Sequence, residues 1–511
     1  MEFTVGTLLT KWSVYTPDKT AVIFDDKEIS YRELNENVNR TANYLLAKGI
    51  KKGDRVSEIL QNCPELLYLY FAAAKIGAVF CPINIRLTAE EIQYQLNDSG
   101  SRFLLFDDSL AEKVEAVRLN ASIEKEGYCC ADGNVPEWAT DYKRELMNCS
   151  TDEPHLSEPV DWEDIQIIMY TSGTTGNPKG AMLSHRKTFF NTLNAFFYHE
   201  LRVEDIVLSP YPLFHSAGLL IYGTPALSRG ATILLRKTYT PEQMLKDIET
   251  YKVTTFGAVT TVLKRIMDSG LIDDYDLSSV RIFGGGGEKT PIDLIERLAS
   301  KGLNLQQRMG QTETSTICSL PRRDTLRKKG SIGLPVIYAD VKIVDESGKE
   351  MPPGEKGEIV VKGPTVMSGY WNKPEETAKT IRDGILHTGD LAYRDEEGYF
   401  YIVDRIKDMY RSGGENVYPA EVEKLLLANP KISQVAIIGV PDPKWTEVGK
   451  AFVVPKEGER ITKEEILAFL EGKVAKFKMP VYVRFMDSLP ATAAGKVRKI
   501  ELKGQFGNAS D

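Results

Sequence analysis

The chain has 511 residues, 42% hydrophobic and 27% charged, which allows two to four domains with sizeable cores. A net charge of −8 argues against nucleic acid as the main partner, because phosphate backbones demand clustered Lys and Arg. Six scattered cysteines without a C-x-x-C pair give no sign of a disulfide framework or a zinc site, and they suit free thiols in a reducing, cytoplasmic setting.

The N-terminus lacks a basic start followed by an apolar core, so no signal peptide is expected. "TAVIFDD" and "KEISY" predict a hairpin, and "YRELNENVNRTANYLLAKGI" predicts a helix stopped near Gly49. The most apolar window, Leu66 to Ile83, approaches the length of a membrane span. Lys75 in its middle, then Gly77 and Pro82, favour a buried helix running into a buried strand, with no membrane span. "RVSEILQN", "AVFCPIN" and "RFLLFDD" are strand-like and alternate with helical segments, the rhythm of an α/β domain with a largely parallel sheet. Residues 111–160 are polar and irregular. The alternation then resumes with "IQIIMY", the helical "RKTFFNTLNAFFYH", and the strand-like "DIVLSPYP", "ATILLRK", "TTFGAV" and "VRIFGGGG". After about residue 330, short strands joined by Gly/Pro turns predict a small β-barrel or meander. A mixed α+β unit follows, with a boundary near Arg405 to Asp408, and the terminal "GQFGNASD" looks frayed. The expected division is a large α/β domain over 1–405 and a small α+β domain over 406–511.

The densest chemistry lies in "YTSGTTGNPKGAMLSH". Gly173, Gly176 and Gly180 permit close backbone approach, Thr171, Ser172, Thr174 and Thr175 offer hydroxyls, and Lys179 adds positive charge. Read as strand, phosphate loop and helix, the segment would aim a helix N-terminus at an anion. The spacing is not that of a Walker A loop, because Gly180 follows the lysine. Further along, "YPLFHSAG" carries His215, and "FGGGGEKTP" places four glycines, Gly284 to Gly287, after a strand. "QQRMGQTET", "LHTGDLAYRDEEGYFYIVDRIKDM", "SGGENVYP" and "LPATAAGKVRK" complete the set.

In this order the motifs resemble the adenylate-forming superfamily of acyl-CoA synthetases, peptide-synthetase adenylation domains and beetle luciferases, over nearly the whole chain. The resemblance implies that Thr171, Ser172, Gly173, Thr174, Thr175, Gly176 and Lys179 wrap ATP phosphates. It puts Gly286, Gly287 and Glu288 beside adenine, with Met309 and Gly310 following. Met309 stands where relatives commonly stack an aromatic ring. Thr312 would contact the α-phosphate, and Glu313 would hold Mg²⁺, a hard ion suited to carboxylate oxygen. Asp390 would clamp the ribose, assisted by Arg405. Lys407 would be the hinge of a mobile small domain. Lys496 would bridge the carboxylate and the α-phosphate, and Ser412, Gly413, Gly414 and Glu415 would face the thiol acceptor, coenzyme A. His215 borders the acyl site, where amino-acid-activating relatives commonly carry aspartate. Its presence counts against an amino acid substrate, since a buried ammonium needs a charge partner. The glycine run would leave room for a bulky acyl group.

The implied activity is ATP-dependent activation of a carboxylic acid to acyl-AMP, then transfer to coenzyme A. A medium- or long-chain fatty acid is the leading substrate, within lipid metabolism. An aryl or alicyclic acid, or loading of a carrier protein, is the alternative. A homo-oligomer stays open.

Overall fold

A computed structural model describes residues 4–171, 178–286, 290–412, 415–443, 445–474, 476–491 and 497–508. Packing divides the chain into two units, 1–341 with 361–386, and 342–360 with 387–511. The hairpin 385–405 therefore packs mainly with the C-terminal residues, one hairpin earlier than the boundary expected near Arg405.

The first unit contains two large sheets. One runs, edge to edge, Leu334–Pro335, Ser315–Ser319, Leu305–Gln311, Ile282–Gly286, Thr255–Gly257, Ile206–Leu208, Thr232–Leu235, Thr20–Phe24 and Lys27–Ser30. The other runs Gly369–Tyr370, Lys179–Ser184, Ile165–Thr171, Val79–Pro82, Arg55–Ile59, Ser101–Phe106, Tyr128–Cys130 and Thr140–Asp141. Their central strands pair in parallel and are largely buried on both faces, as in a doubly covered sheet. Period-two alternation sorts the side chains. Phe103 and Leu105 point into the central core, with helices Tyr31–Ala47 and Pro64–Ile76, while Leu104 and Phe106 point into an outer layer. On the other sheet Ile233 and Leu235 face the centre, and Leu234 faces an outer core with helices Pro241–Tyr251 and Ile292–Ser300.

The hairpin at 20–30 and the buried helix followed by a strand at 64–82 are as expected. Lys75 is buried rather than solvated. Glu153 lies 2.7 Å from it, and it donates to Asn35 at 2.8 Å and Asn39 at 2.7 Å. Residues 111–160 supply two short strands, 128–130 and 140–141, that extend the second sheet. No described helix is long and apolar enough to cross a membrane, and all six cysteines are free.

In the second unit, strand Ile432–Asp442 pairs with Thr446–Pro455. Val435 and Ile437 face helices Pro419–Leu427 and Lys463–Leu470, and Ile438 and Val440 face helix Lys499–Phe506. That last helix takes in residues 504–506, which were expected to be frayed, while residues 509–511 lie outside the described residues. The buried Lys450 ammonium donates to the carbonyls of Phe506 at 3.2 Å and Asn508 at 2.9 Å, satisfying the helix C-terminus.

Candidate active site

The segment after strand Ile165–Thr171 does not lead straight into a helix. Lys179–Ser184 returns as an antiparallel strand, pairing Thr171 with Lys179 and Tyr170 with Gly180. Helix His185–Tyr198 begins only after that strand, about 20 Å further along the chain at 3.3 Å per residue. The expected helix N-terminus at the phosphate loop is therefore displaced. Alternate burial of Ala181 and Leu183 stabilises the strand instead. Ser172, Gly173, Thr174, Thr175 and Gly176 lie outside the described residues, as do Gly287, Glu288, Gly413, Gly414 and Lys496.

The structure brings Thr171 and Glu313 together across the two sheets. Glu313 sits in the turn between Leu305–Gln311 and Ser315–Ser319, beside Thr312. Its Oε1 accepts from the Thr171 hydroxyl at 3.2 Å and the Tyr370 hydroxyl at 2.9 Å. Tyr370 pairs with Ala181 on the returning strand, and the Met367 N–H donates to the Glu313 carbonyl at 2.8 Å, so one segment ties both sheets to the turn. Among the described residues Oε2 has no partner, which leaves a hard oxygen for a divalent cation. Lys179 pairs with Glu376 and lies 5.3 Å from the Tyr370 ring centre. The Lys179 hydrogen bond pulls the Glu376 carboxyl down to about 2.

The turn has a support that sequence reasoning missed. Lys187 is fully buried, and its ammonium donates to Ser315 Oγ at 2.5 Å. Burial lowers its pKa to about 7, against the partial opposing effect of Glu313. Ser315 holds φ +60, uncommon for a residue with a side chain. At Gly310 an added Cβ would lie 2.2 Å from the Ser315 carbonyl, so only glycine fits. Met309 is half-buried in the strand and pairs with Cys318.

Helix His185–Tyr198 is inside out. His185, Lys187, Thr188, Asn191, Thr192 and Asn194 are buried, while Phe189, Phe190 and Phe196 are only half-buried and Phe197 is exposed. A surface helix normally does the reverse. That inversion is the sequence signal that could have revealed Lys187.

His215 is exposed, and its Nδ1 accepts from the Ala217 N–H at 3.2 Å. Two residues further on begins a π-helix, Ala217–Gly223, a form concentrated at functional sites. Tyr222 of that helix stacks on Tyr211 with centroids 5.4 Å apart. Gly284 to Gly286 lie within a parallel strand, opposite Gln306 to Arg308. The space beside Gly284 is not empty: an added Cβ would come 2.1 Å from Arg308 Nη1. Part of the room expected for an acyl group is thus filled by a guanidinium.

In the second unit Asp390 and Arg405 face each other across the hairpin, with Nε 2.6 Å from Oδ1. Asp390 is buried. Lys407 follows in a short 3-10 turn, and the buried Ser412 lies on the strand Tyr410–Ser412, which pairs with Glu415–Val417.

Residues 9–371 match the model of the AMP-binding enzyme family, and residues 421–496 match the AMP-binding enzyme C-terminal domain. The chain belongs to this family. It is similar to a feruloyl-CoA synthase of Amycolatopsis sp, 41% identical over 96% of this chain and 97% of that one. It is also similar to an indoleacetate–CoA ligase of Aromatoleum aromaticum, 37% identical over 95% of each chain. Among solved structures, the o-succinylbenzoate CoA synthetase of Bacillus subtilis in complex with its acyl-adenylate intermediate superposes with a TM-score of 0.86. That chain is 31% identical, and the match covers 98% of both. The large mixed α/β part and small C-terminal part are those of this AMP-binding enzyme fold.

Proposed function

We propose that this AMP-forming acid–CoA ligase acts on an aromatic carboxylic acid. The observation that carries the class is the ring in the acids named for three relatives. The stacked Tyr211 and Tyr222, on the segments before and after His215, offer flat apolar walls that suit a ring. The aryl alternative therefore replaces the fatty acid as the leading reading.

In the first half-reaction a carboxylate oxygen of the acid attacks the α-phosphorus of ATP, and pyrophosphate leaves. Two anions meet in this step, so catalysis rests on positioned cations and N–H donors rather than acid–base chemistry. Thr171 and the loop 172–176 hold the phosphates, Lys179 adds charge, and Thr312 meets the α-phosphate. Glu313 would hold Mg²⁺, and the ion would neutralise phosphate charge there. Gly286, Gly287, Glu288, Met309 and Gly310 line the adenine, and Asp390 with Arg405 takes the ribose hydroxyls. Lys496 steadies the acid against the α-phosphate. In the second half-reaction the coenzyme A thiolate attacks the acyl carbon, and AMP leaves with the bonding electrons. Rotation at Lys407 withdraws Lys496 and presents Ser412, Gly413, Gly414 and Glu415 to the thiol. The functional division is 1–405 and 406–511.

The test is AMP release with ATP, Mg²⁺ and coenzyme A over ferulate, indoleacetate, benzoate and straight-chain acids. Higher kcat/KM on a ring acid supports the proposal, and a preference for straight chains refutes the substrate class while keeping the chemistry.

A further inference from the structure

The buried and half-buried arginines on the nine-stranded sheet differ in one respect. Arg236 holds Asp247 at 2.7 and 3.0 Å, and Arg281 holds Asp205 at 2.8 and 2.9 Å. Arg308 is only 7% exposed, yet among the described residues no carboxylate pairs with it. Its partners are the neutral oxygens of Tyr222, Tyr198 and Gln306 at 3.4, 3.4 and 3.3 Å, and its Nε has none. A guanidinium carries five donors in a planar fork that matches a carboxylate. Three long bonds to neutral groups leave that fork unsatisfied, and a buried charge needs a partner.

The surroundings fit a partner that arrives from outside. Tyr198 lies under the guanidinium, 4.7 Å from ring centre to Cζ, and Ser319 is the cross-strand neighbour of Arg308. Tyr198, Gln306 and Ser319 also line a cavity of about 610 Å³, with Arg322 and Arg323 at its wall. On its other side Arg308 reaches Tyr222 of the π-helix that follows His215. Among the described residues, side-chain oxygens of Thr188, Asn191 and Thr192 on the inverted helix have no partners.

We propose that Arg308 receives a second carboxylate at the far end of the acid substrate, so that acids bearing two carboxylates are the preferred class. The inference rests on the acid–CoA ligase reading and narrows its substrate. A site built to bind a charged group discriminates strongly against the analogue that lacks it, because the buried partner is then left unpaired.

The experiment measures kcat/KM for coenzyme A-dependent AMP release on two matched pairs. They are cinnamate with 4-carboxycinnamate, and 4-oxo-4-phenylbutanoate with 2-succinylbenzoate. The wild-type protein is expected to favour the diacid of at least one pair by about 10–100-fold. Arg308→Met is expected to abolish that preference while retaining turnover of the monoacid. Arg308→Lys, which keeps the charge without the fork, is expected to raise KM for the diacid alone. Equal or lower wild-type rates on both diacids overturn the proposal, as does a preference that survives Arg308→Met. If Arg308→Met does not fold, the lysine variant decides, and equal KM changes on both members of a pair overturn the proposal. If no acid gives AMP, the ligase reading fails. Thermal stabilisation of the wild-type protein by a diacid but not its monoacid then still supports the subsite, and its absence overturns it.

Discussion

Two regions of the nine-stranded sheet treat buried charge in opposite ways. Around strand Thr232–Leu235, Arg236 is locked by Asp247 and also reaches Asp26 at 2.7 Å. Around strands Leu305–Gln311 and Ser315–Ser319, among the described residues, Lys187 has one serine and Arg308 has three neutral oxygens. The first arrangement is complete without a ligand. The second is not, and it adjoins the turn that carries Thr312 and Glu313. Incomplete charge compensation, rather than charge itself, separates the region assigned to substrates from the region that only holds the fold.

The comparison can be broken most severely at Glu313. Glu313→Gln keeps the shape and removes the anion, and should lower the rate of ATP–pyrophosphate exchange by about 10²–10³-fold with little change in urea unfolding. Wild-type exchange in this variant would remove Glu313 from the site. Next, Arg236→Met leaves Asp247 buried and unpaired, and should cost about 3–5 kcal/mol of stability. Arg308→Met strands no carboxylate and should change stability by no more than about 1 kcal/mol. Equal losses in urea titrations would erase the distinction drawn between the two regions. Lys187→Met should slow adenylate formation by about tenfold, through a looser Ser315 and Glu313 turn, while leaving unfolding unchanged or slightly more difficult. A stability loss without a rate loss would make Lys187 purely structural.

The last effect is confined to acid pH and concerns His185, which lies on the same inverted helix and is buried, with neither ring nitrogen bonded among the described residues. Burial lowers its pKa to about 4 from an ordinary 6.5. Between those values the unfolded chain binds a proton that the folded chain refuses, so stability falls as pH drops through that window. His185→Asn should flatten the slope by at most about 1.4 kcal/mol per pH unit. Parallel stability curves for the two proteins from pH 4 to 6.5 would show that His185 is protonated in the fold.

Strong periodicity was legible. The hairpin at 20–30, the buried segment 64–82 and the parallel alternation follow from runs of β-branched and aromatic residues. The strand 179–184 was not, because Gly180 and Ser184 interrupt its pattern and Asn-Pro-Lys-Gly reads as loop. The strands at 128–130 and 140–141 are too short to show a period. The helix at 499–506 has one fully buried residue, Leu502, and depends on Lys450 far away in sequence. At the site, hydroxyl and glycine density marked Thr171, the family resemblance marked the turn at Glu313, and the structure does bring the two together. Tyr370 and Arg308 carried no local mark, and Lys187 had only the inverted polarity of its helix. A tyrosine in a connecting segment and cations beside aromatic residues resemble surface residues until burial is known.

The most direct measurement is mass spectrometry of the products formed from an aromatic acid, ATP and Mg²⁺, first without coenzyme A and then after its addition. The account predicts an enzyme-bound acyl-adenylate and pyrophosphate in the first stage. It predicts conversion to the thioester with one equivalent of AMP in the second. ADP and phosphate as products, or thioester formation without a preceding adenylate, would contradict it.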